Sequence, residues 1–424
     1  MPLQATWLET TLGEHVRLAS GGTPSKANPD FWNGYTPWVT AKDMKSLWIE
    51  TTEDKLTQKG AEQANMVAPA GTILMLVRGM TLHHDVPIVR LKVPAAFNQD
   101  VKAVIPGPAI DPDYLFYLLR SHKPDLLEAV DAAGHGTGRL ASDALNRMTI
   151  LLPSLPEQRV IHEALKAIDE KVELNAAMVS TLEETARALY QSWFVDFDPV
   201  LAKAEGRDPT LPADIAALFP DRFGEDGLPE GWRSVAIYDA ANVIYGAPFA
   251  SERFNTLGIG RPLVRIRDLP THKGGHFTDE VHRKEHVIEP GQIVVGMDGE
   301  FRAYLWQGDP ALMNQRVCSF KPRLQVNRGY VWLSLIPLLD LCEKSAVGTT
   351  VIHLGKKDID RFNVLSAPAP VHEAFGHVVE AMIDQIVLLG KLSRALVQLR
   401  DTLLPLLISG QLRIPPELHE VAAA

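Results

Sequence analysis

Hydrophobic positions along the chain follow two regimes. Between residues 156 and 195 they recur in steps of four and three, at Ile161, Leu165, Ile168, Val172, Val179, Leu182, Ala186, Leu189 and Trp193, with Asn175 filling the one gap. Such spacing keeps one stripe of a helix apolar and is the seam of a coiled coil. Pro156 lies near the helix start and Glu157 in its first turn. Moving the seam on by 214 positions gives Phe375, Val379, Met382, Ile386, Leu389, Ser393, Leu396, Arg400, Leu403 and Leu407, eight of the ten apolar. Ser393, Arg400 and Pro405 mark where this second helix weakens or bends. Residues 1–155 and 231–369 instead show short apolar runs between Gly, Pro and Asn turns. Short helices are expected among them, such as Pro112–Arg120 and Pro124–Asp131, so each stretch reads as a compact α+β domain.

The chain repeats itself. Pro37-Trp38-Val39-Thr40-Ala41-Lys42-Asp43 matches Pro262-Leu263-Val264-Arg265-Ile266-Arg267-Asp268, and Pro69–Leu74 matches Pro290–Val295. Phe97-Asn98-Gln99-Asp100-Val101 recurs as Met313-Asn314-Gln315-Arg316-Val317, and Gly136-Thr137 as Gly348-Thr349. Four matches in order, at offsets of about 212 to 225, indicate a tandem duplication.

The expected fold class is therefore α+β: two tandem α+β domains, 1–155 and 231–369, separated by two long helices, 156–195 and 370–412. The helices should pair as an antiparallel coiled coil, giving a pseudo-twofold internal repeat and a rod of roughly 58 Å for about 39 residues. Asn175 is a candidate for setting register, or else a solvated seam edge. Residues 196–230 hold several Pro, Gly and acidic residues and read as a mostly irregular connector with a helical turn at Ala213–Phe219; 413–424 is a tail.

Composition narrows the function classes. The 424 residues are 46% hydrophobic and 22% charged, an ordinary globular balance. Cys318 and Cys342 allow at most one bridge, so a disulfide scaffold is excluded and a reducing, cytoplasmic setting is expected. The N-terminal residues lack a signal-peptide pattern and no run of about 20 apolar residues occurs, which speaks against a membrane span. The net charge of −10 at first argues against nucleic acid. Its distribution changes that: residues 1–155 carry −2, 156–195 carry −3, 196–230 carry −6, 231–369 carry +3 and 370–424 carry −2. The acid is concentrated in the connector and helices, away from the two α+β domains.

Catalytic signals are weak. Asn28-Pro29-Asp30-Phe31 approaches the Asn-Pro-Pro-aromatic motif of amino-methyltransferases but lacks the second proline, so a turn before a strand is the better account. Gly348–Lys357 approaches a phosphate loop with the wrong glycine spacing and Lys357 where Ser or Thr should hold magnesium. His272, His276, His282 and His286 are spaced 4, 6 and 4, but Gly274-Gly275 breaks the helix that would align the first pair. His83-His84-Asp85 reads as an exposed turn. No metal site is expected.

The chain resembles the specificity subunits of type I restriction–modification systems over essentially its whole length. Gly21-Gly22-Thr23-Pro24-Ser25, followed by Asn28-Pro29-x-Phe31-Trp32 and Pro37-Trp38-Val39-Thr40-x-Lys42-Asp43-Met44, is similar to that family's recognition-domain opening. Leu155-Pro156-Glu157-Gln158-Arg159 through Ile168-Asp169-x-Lys171-Val172-Glu173-Leu174-Asn175 resembles its central repeat, and Thr181-Leu182-Glu183 to Trp193-Phe194-Val195-Asp196-Phe197-Asp198-Pro199-Val200 the close of that repeat. Leu399–Pro405 with Ile408-Ser409-Gly410 resembles the end of the second repeat. The second copy departs at Gly246-Ala247-Pro248 and at Ala369-Pro370-Val371-His372-Glu373.

The resemblance implies a non-catalytic subunit whose two target-recognition domains each read half of a bipartite, asymmetric double-stranded DNA target. It implies two methyltransferase subunits and restriction subunits as partners, carrying S-adenosylmethionine, ATP and Mg, with no cofactor on this chain. Residue chemistry nominates Lys42, Arg78, Asn98, Gln99 and Arg139 in the first domain as DNA contacts. Arg265, Arg267, Asn314, Gln315, Arg316, Lys356 and Lys357 are the candidates in the second. The repeated Asn-Gln pairs have a second reading, as braces of a turn common to both copies. Because neither domain is strongly basic, the chain alone should bind DNA weakly. The competing readings are a catalytic DNA adenine methyltransferase, which cofactor binding by the isolated chain would revive, and a scaffold binding only proteins.

Overall fold

The computed structural model describes residues 7–132, 136–323, 325–345 and 353–415. The chain forms two compact units, Met1–Glu170 with Val397–Ala424, and Lys171–Leu396. Two 40-residue helices, the central Leu155–Phe194 and the C-terminal Ala369–Ile408, each contribute one part to each unit. Both predicted helices are present, and Pro405 lies inside the second without ending it.

The first unit is built on a five-stranded sheet in the order Val16–Ser20, Val101–Pro106, Ile73–Leu76, Ile88–Leu91, Trp48–Ile49. Ile73–Leu76 is buried at every position because it is central and covered on both faces, which its unbroken apolar run foretells. Beside it, Trp32–Val39 pairs in parallel with Ala95–Phe97. Arg78–Gly79, Gly138–Leu140 and Val130–Ala132 form a small third sheet. The helix Pro112–Ser121 starts where Asp111 accepts the backbone N–H groups of Asp113 and Tyr114 at 2.9 and 3.2 Å, with Pro112 placed where a missing N–H costs nothing. It buries Tyr114 through Leu119. Ile161 and Leu165 of the central helix share this core with Leu404, Leu407 and Ile408 of the C-terminal helix. The helix segments run antiparallel: Trp7 touches Glu157 and lies beside Gly410, whereas Asp169 pairs with Arg400.

The second unit repeats the plan. Ala241–Tyr245, Val317–Pro322, Ile293–Gly296 and Ala303–Leu305 follow the order of the first four strands above, and Arg261–Val264 pairs in parallel with Ala311–Met313. Arg328–Ser345 takes the place of Pro112–Ser121, begun by Asn327 accepting from the Tyr330 N–H at 2.7 Å. Here too the helix segments are antiparallel, with Asn175 donating to Ser393 at 3.2 Å and Phe194 stacked on His372. Residues 196–230 depart from expectation. Asp198–Ala204 is a helix, and Val200 and Phe219 are buried in the unit's core, so the segment packs rather than merely connects. The Asp198-Pro199 pair is a helix start as much as a turn. Cys318 and Cys342 are free thiols; burial pushes the Cys318 thiol up to about 12.

Candidate nucleic-acid interface

In each unit the repeated sequence motifs meet on one rim. In the first, Thr40 to Asp43 form a capped turn: the Asp43 carboxylate accepts the Thr40 N–H at 2.9 Å and its hydroxyl at 2.8 Å. The next strand end docks on it through the Asn98 N–H and the Val39 carbonyl, at 3.0 Å. The Asp100 carbonyl then takes the N–H groups of Val77 and Arg78 at 2.8 and 3.3 Å, and the Leu140 N–H reaches the Val77 carbonyl at 2.9 Å. Turn, Asn-Gln segment, Arg78 and Arg139 are thereby laced into one continuous edge.

The second unit reproduces this lacing. Asp268 accepts the Arg265 N–H at 2.9 Å and Asn314 N–H meets the Val264 carbonyl at 3.0 Å. Met297 N–H meets the Arg316 carbonyl at 2.9 Å, and Leu354 N–H meets the Met297 carbonyl at 2.7 Å. Even the glycine is shared. A Cβ on Gly21 would lie 2.0 Å from the Phe97 carbonyl oxygen, and one on Gly246 would lie 2.1 Å from that of Asn314. Only glycine lets the chain pass so close, which is why Gly246 survives in an opening that otherwise diverges.

A family model described as type I restriction modification DNA specificity domain matches residues 4–184. The type I restriction enzyme MjaIX specificity subunit of Methanocaldococcus jannaschii is 25% identical over 413 residues, covering 94% of this chain and 91% of that protein. The EcoR124I/EcoR124II specificity subunit of Escherichia coli is 36% identical over 161 residues, 38% of this chain and 40% of its own. Residues 4–184 thus carry a type I restriction modification DNA specificity domain, and the relative matched along nearly the whole chain is a type I specificity subunit. A type I S subunit from M. genitalium has the same fold at a TM-score of 0.57 and 15% identity, covering 96% of this chain and 97% of that one.

The nominated side chains have unequal freedom. Arg78 and Arg139 face each other in register across two strands, both exposed and with no ion pair or side-chain hydrogen bond among the described residues. Lys42 projects from the capped turn but pairs with Glu53 at 3.0 Å and Asp54 at 3.2 Å, and hydrogen bonds to these two raise its pKa. Asn98 closes its own turn, accepting the Asp100 N–H at 3.1 Å, and Gln99 accepts the Thr23 hydroxyl at 2.5 Å. In the second domain Arg265 folds onto Asp268 at 3.2 Å, and Asn314 is buried at 8% exposure. Arg316 pairs with Asp298 at 3.4 Å, and Lys356 with Asp360 at 3.0 Å. Arg267, Gln315 and Lys357 are exposed without such partners among the described residues. The Asn of each Asn-Gln pair is thus spent on the turn.

Sequence reasoning missed Asp298 and His353, which form a β-bridge where Arg78 and Arg139 stand in the first unit; no motif flags Asp298, and His353 falls in the stretch Gly348–Lys357, whose only sequence reading is a phosphate loop. The four spaced histidines separate. Burial, assisted by Arg394, pushes His272 down to about 4, burial also lowers His286, His276 lies against Phe254, and His282 accepts the Lys284 N–H. Asn28 caps a turn before Trp32–Val39, as expected. Gly348 to Ile352 lie outside the described residues. Among those described, one acidic–histidine group is compact: Asp111, Asp113 and His162. It is a helix start, since Asp111 caps, Asp113 pairs with Arg90 and His162 rests on Asp111 at 3.3 Å. No described helix is long and apolar enough to cross a membrane.

Proposed function

We propose that each α+β domain of this specificity subunit reads one half of a bipartite, asymmetric DNA target, the long helices acting as a coiled-coil spacer and docking platform. Two methyltransferase subunits and the restriction subunits are the partners, and they carry S-adenosylmethionine, ATP and Mg. The two domains descend from one duplicated unit. The carrying observation is that both rims have the same backbone lacing while their outward side chains differ, as expected of two readers with different half-sites. Arg78, Arg139, Arg267, Gln315 and Lys357 are the contacts best placed to engage DNA, being exposed and uncommitted. Arg or Lys reads guanine or neutralises phosphate, and Gln suits adenine.

The test is an exchange. Residues 1–155 are replaced by the corresponding domain of another specificity subunit, the complex is assembled with its methyltransferase, and the modified sequence is read by methylation-sensitive sequencing. One half of the target should change and the other stay. Change in both halves would refute the two-reader arrangement.

A further inference from the structure

Three rim positions carry inverted chemistry in the two domains. The backbone hydrogen bonds that join Val77 to Asp100 and Leu140 to Val77 recur as Met297 to Arg316 and Leu354 to Met297. Arg78, Asp100 and Arg139 therefore correspond to Asp298, Arg316 and His353. Where the first domain has two arginines and an acid tied into its own turn, the second has an acid flanked by a guanidinium and an imidazole.

The second arrangement is organised. Asp298 holds Arg316 Nε at 3.4 Å through one oxygen and His353 Nδ1 at 2.7 Å through the other. The short contact to a carboxylate places the imidazole proton on Nδ1, which leaves Nε2 of the neutral ring as an acceptor. Arg316 Nη1, 3.3 Å from the same Nδ1, then has no acceptor there and stays available. Arg316 is 51% exposed, His353 46% and Asp298 28%. Exposed pairs of this kind contribute little to folding, so stability is a poor reason to keep an acid, a guanidinium and an imidazole in mutual contact. What the group offers outward is a pair of guanidinium donors beside one acceptor. In the major groove a G·C pair presents the complement: the O6 and N7 acceptors of guanine and the N4 donor of cytosine.

We propose that Asp298, Arg316 and His353 form a base-reading cluster for a G·C pair in the half-site of the second domain, with Arg316 on guanine and Asp298 as the positioning residue. The inference rests on the two-reader function above. The first domain has no counterpart: Arg78 and Arg139, opposite each other with no acid between them, are suited to phosphate and carry less sequence information.

The experiment uses the assembled complex with its methyltransferase. Arg316→Ala should relax discrimination at one G·C position of one half-site by about ten- to a hundredfold, leaving the other half intact. Asp298→Asn should relax the same position less, and Arg316→Lys should recover part of the loss. Arg78→Ala with Arg139→Ala should weaken binding to all sequences and reduce the slope of log affinity against log salt by about two. An unchanged motif with Arg316→Ala overturns the inference, as does uniform weakening with no position relaxed. If the wild-type complex itself modifies DNA without sequence preference, the function of the whole chain has been misassigned; a preference that survives Arg316→Ala sinks the cluster alone.

Discussion

The two units hold their shares of the helix pair by different chemistry. In the first, the buried Asp169 carboxylate collects Arg400 Nη1 at 2.6 Å, Tyr117 Oη at 2.9 Å and Arg120 Nη1 at 3.2 Å. Two helix segments and the helix Pro112–Ser121 of the α+β domain thus meet on one charge. Moving Asp169 by 214 positions reaches Ile383, and moving Ala186 by the same step reaches Arg400. Ile383 and Ala186 are both fully buried in the second core, and the ions that tie this unit's helix Arg328–Ser345 to the C-terminal helix, Arg328 with Glu380 and Asp384, lie nearer the surface. That unit relies on aromatic rings instead: Phe194 meets Tyr330 at 4.8 Å and Phe375 at 5.0 Å, and Trp193 meets Phe375 at 5.7 Å. Apolar burial is indifferent to partner identity as long as volume is matched. A buried carboxylate is not, because any helix lacking its arginine leaves it unpaired. One unit therefore selects its pairing and the other supplies adhesion.

Breaking the ionic lock is the largest expected effect. Asp169→Ala leaves Arg120 and Arg400 buried without their shared acid and should cost the first unit about 3–5 kcal/mol. Hydrogen exchange read unit by unit should show faster opening in residues 155–170 and 397–408 and little change in the second unit. Transplanting the second unit's solution, Asp169→Ile with Arg400→Ala and Arg120→Met, should recover most of the stability, since well-packed apolar groups commonly equal a buried ion pair. A triple variant as unstable as Asp169→Ala would mean that shape, not charge, holds this end.

Acid should act on the aromatic end. His372 is 4% exposed, stacked on Phe194 and edge-on to Tyr330 at 4.5 Å, and burial pushes it down to about 4. The unfolded chain takes up this proton near pH 6.5 and the folded chain only near 4, so the stabilisation is fully present above about 6.5 and lost as pH falls toward 4. The loss in the second unit should approach ~3 kcal/mol. His372→Phe, which preserves the ring stack, should flatten that pH dependence; an unchanged profile would place the acid sensitivity elsewhere.

The contrast between the units also explains what could be read from the sequence. The seams were legible because burial on one face of a helix leaves a period, and the paired strands because their apolar runs repeat at a near-constant offset. Asp169 was not, since it sits beside Ile168 of the seam and looks like a solvated charge until Tyr117, Arg120 and Arg400 arrive from distant parts of the chain. Asp43 and Asp268 recur because each caps a turn, and Asn98 and Asn314 because each closes one, so recurrence marked the frame of the rim more than its contacts. His353 and Asp298 carry no repeat, and the one motif that includes either, Gly348–Lys357, points to a different chemistry. They become visible only when the strands bring them opposite each other.

The smallest expected effect concerns the one polar residue on the seam of the central helix. Asn175 is fully buried, donates to Ser393 at 3.2 Å, and its Oδ1 has no partner. The positions related to this pair by the same 214-residue step are Leu389 and Val179, an apolar pair. An amide with half its capacity unmet contributes little net stability, because the unsatisfied oxygen offsets most of what the single hydrogen bond provides. Asn175→Leu should therefore raise the stability of the second unit by about 1 kcal/mol, measured by denaturant unfolding followed through the Trp193 and Trp232 fluorescence. A loss of similar size would show that the hydrogen bond outweighs the buried oxygen. A gain would mean that the seam gives up strength at this point for alignment, as buried asparagines do in coiled coils: leucine tolerates a partner displaced along the helix, whereas Asn175 is met by Ser393 in one register only.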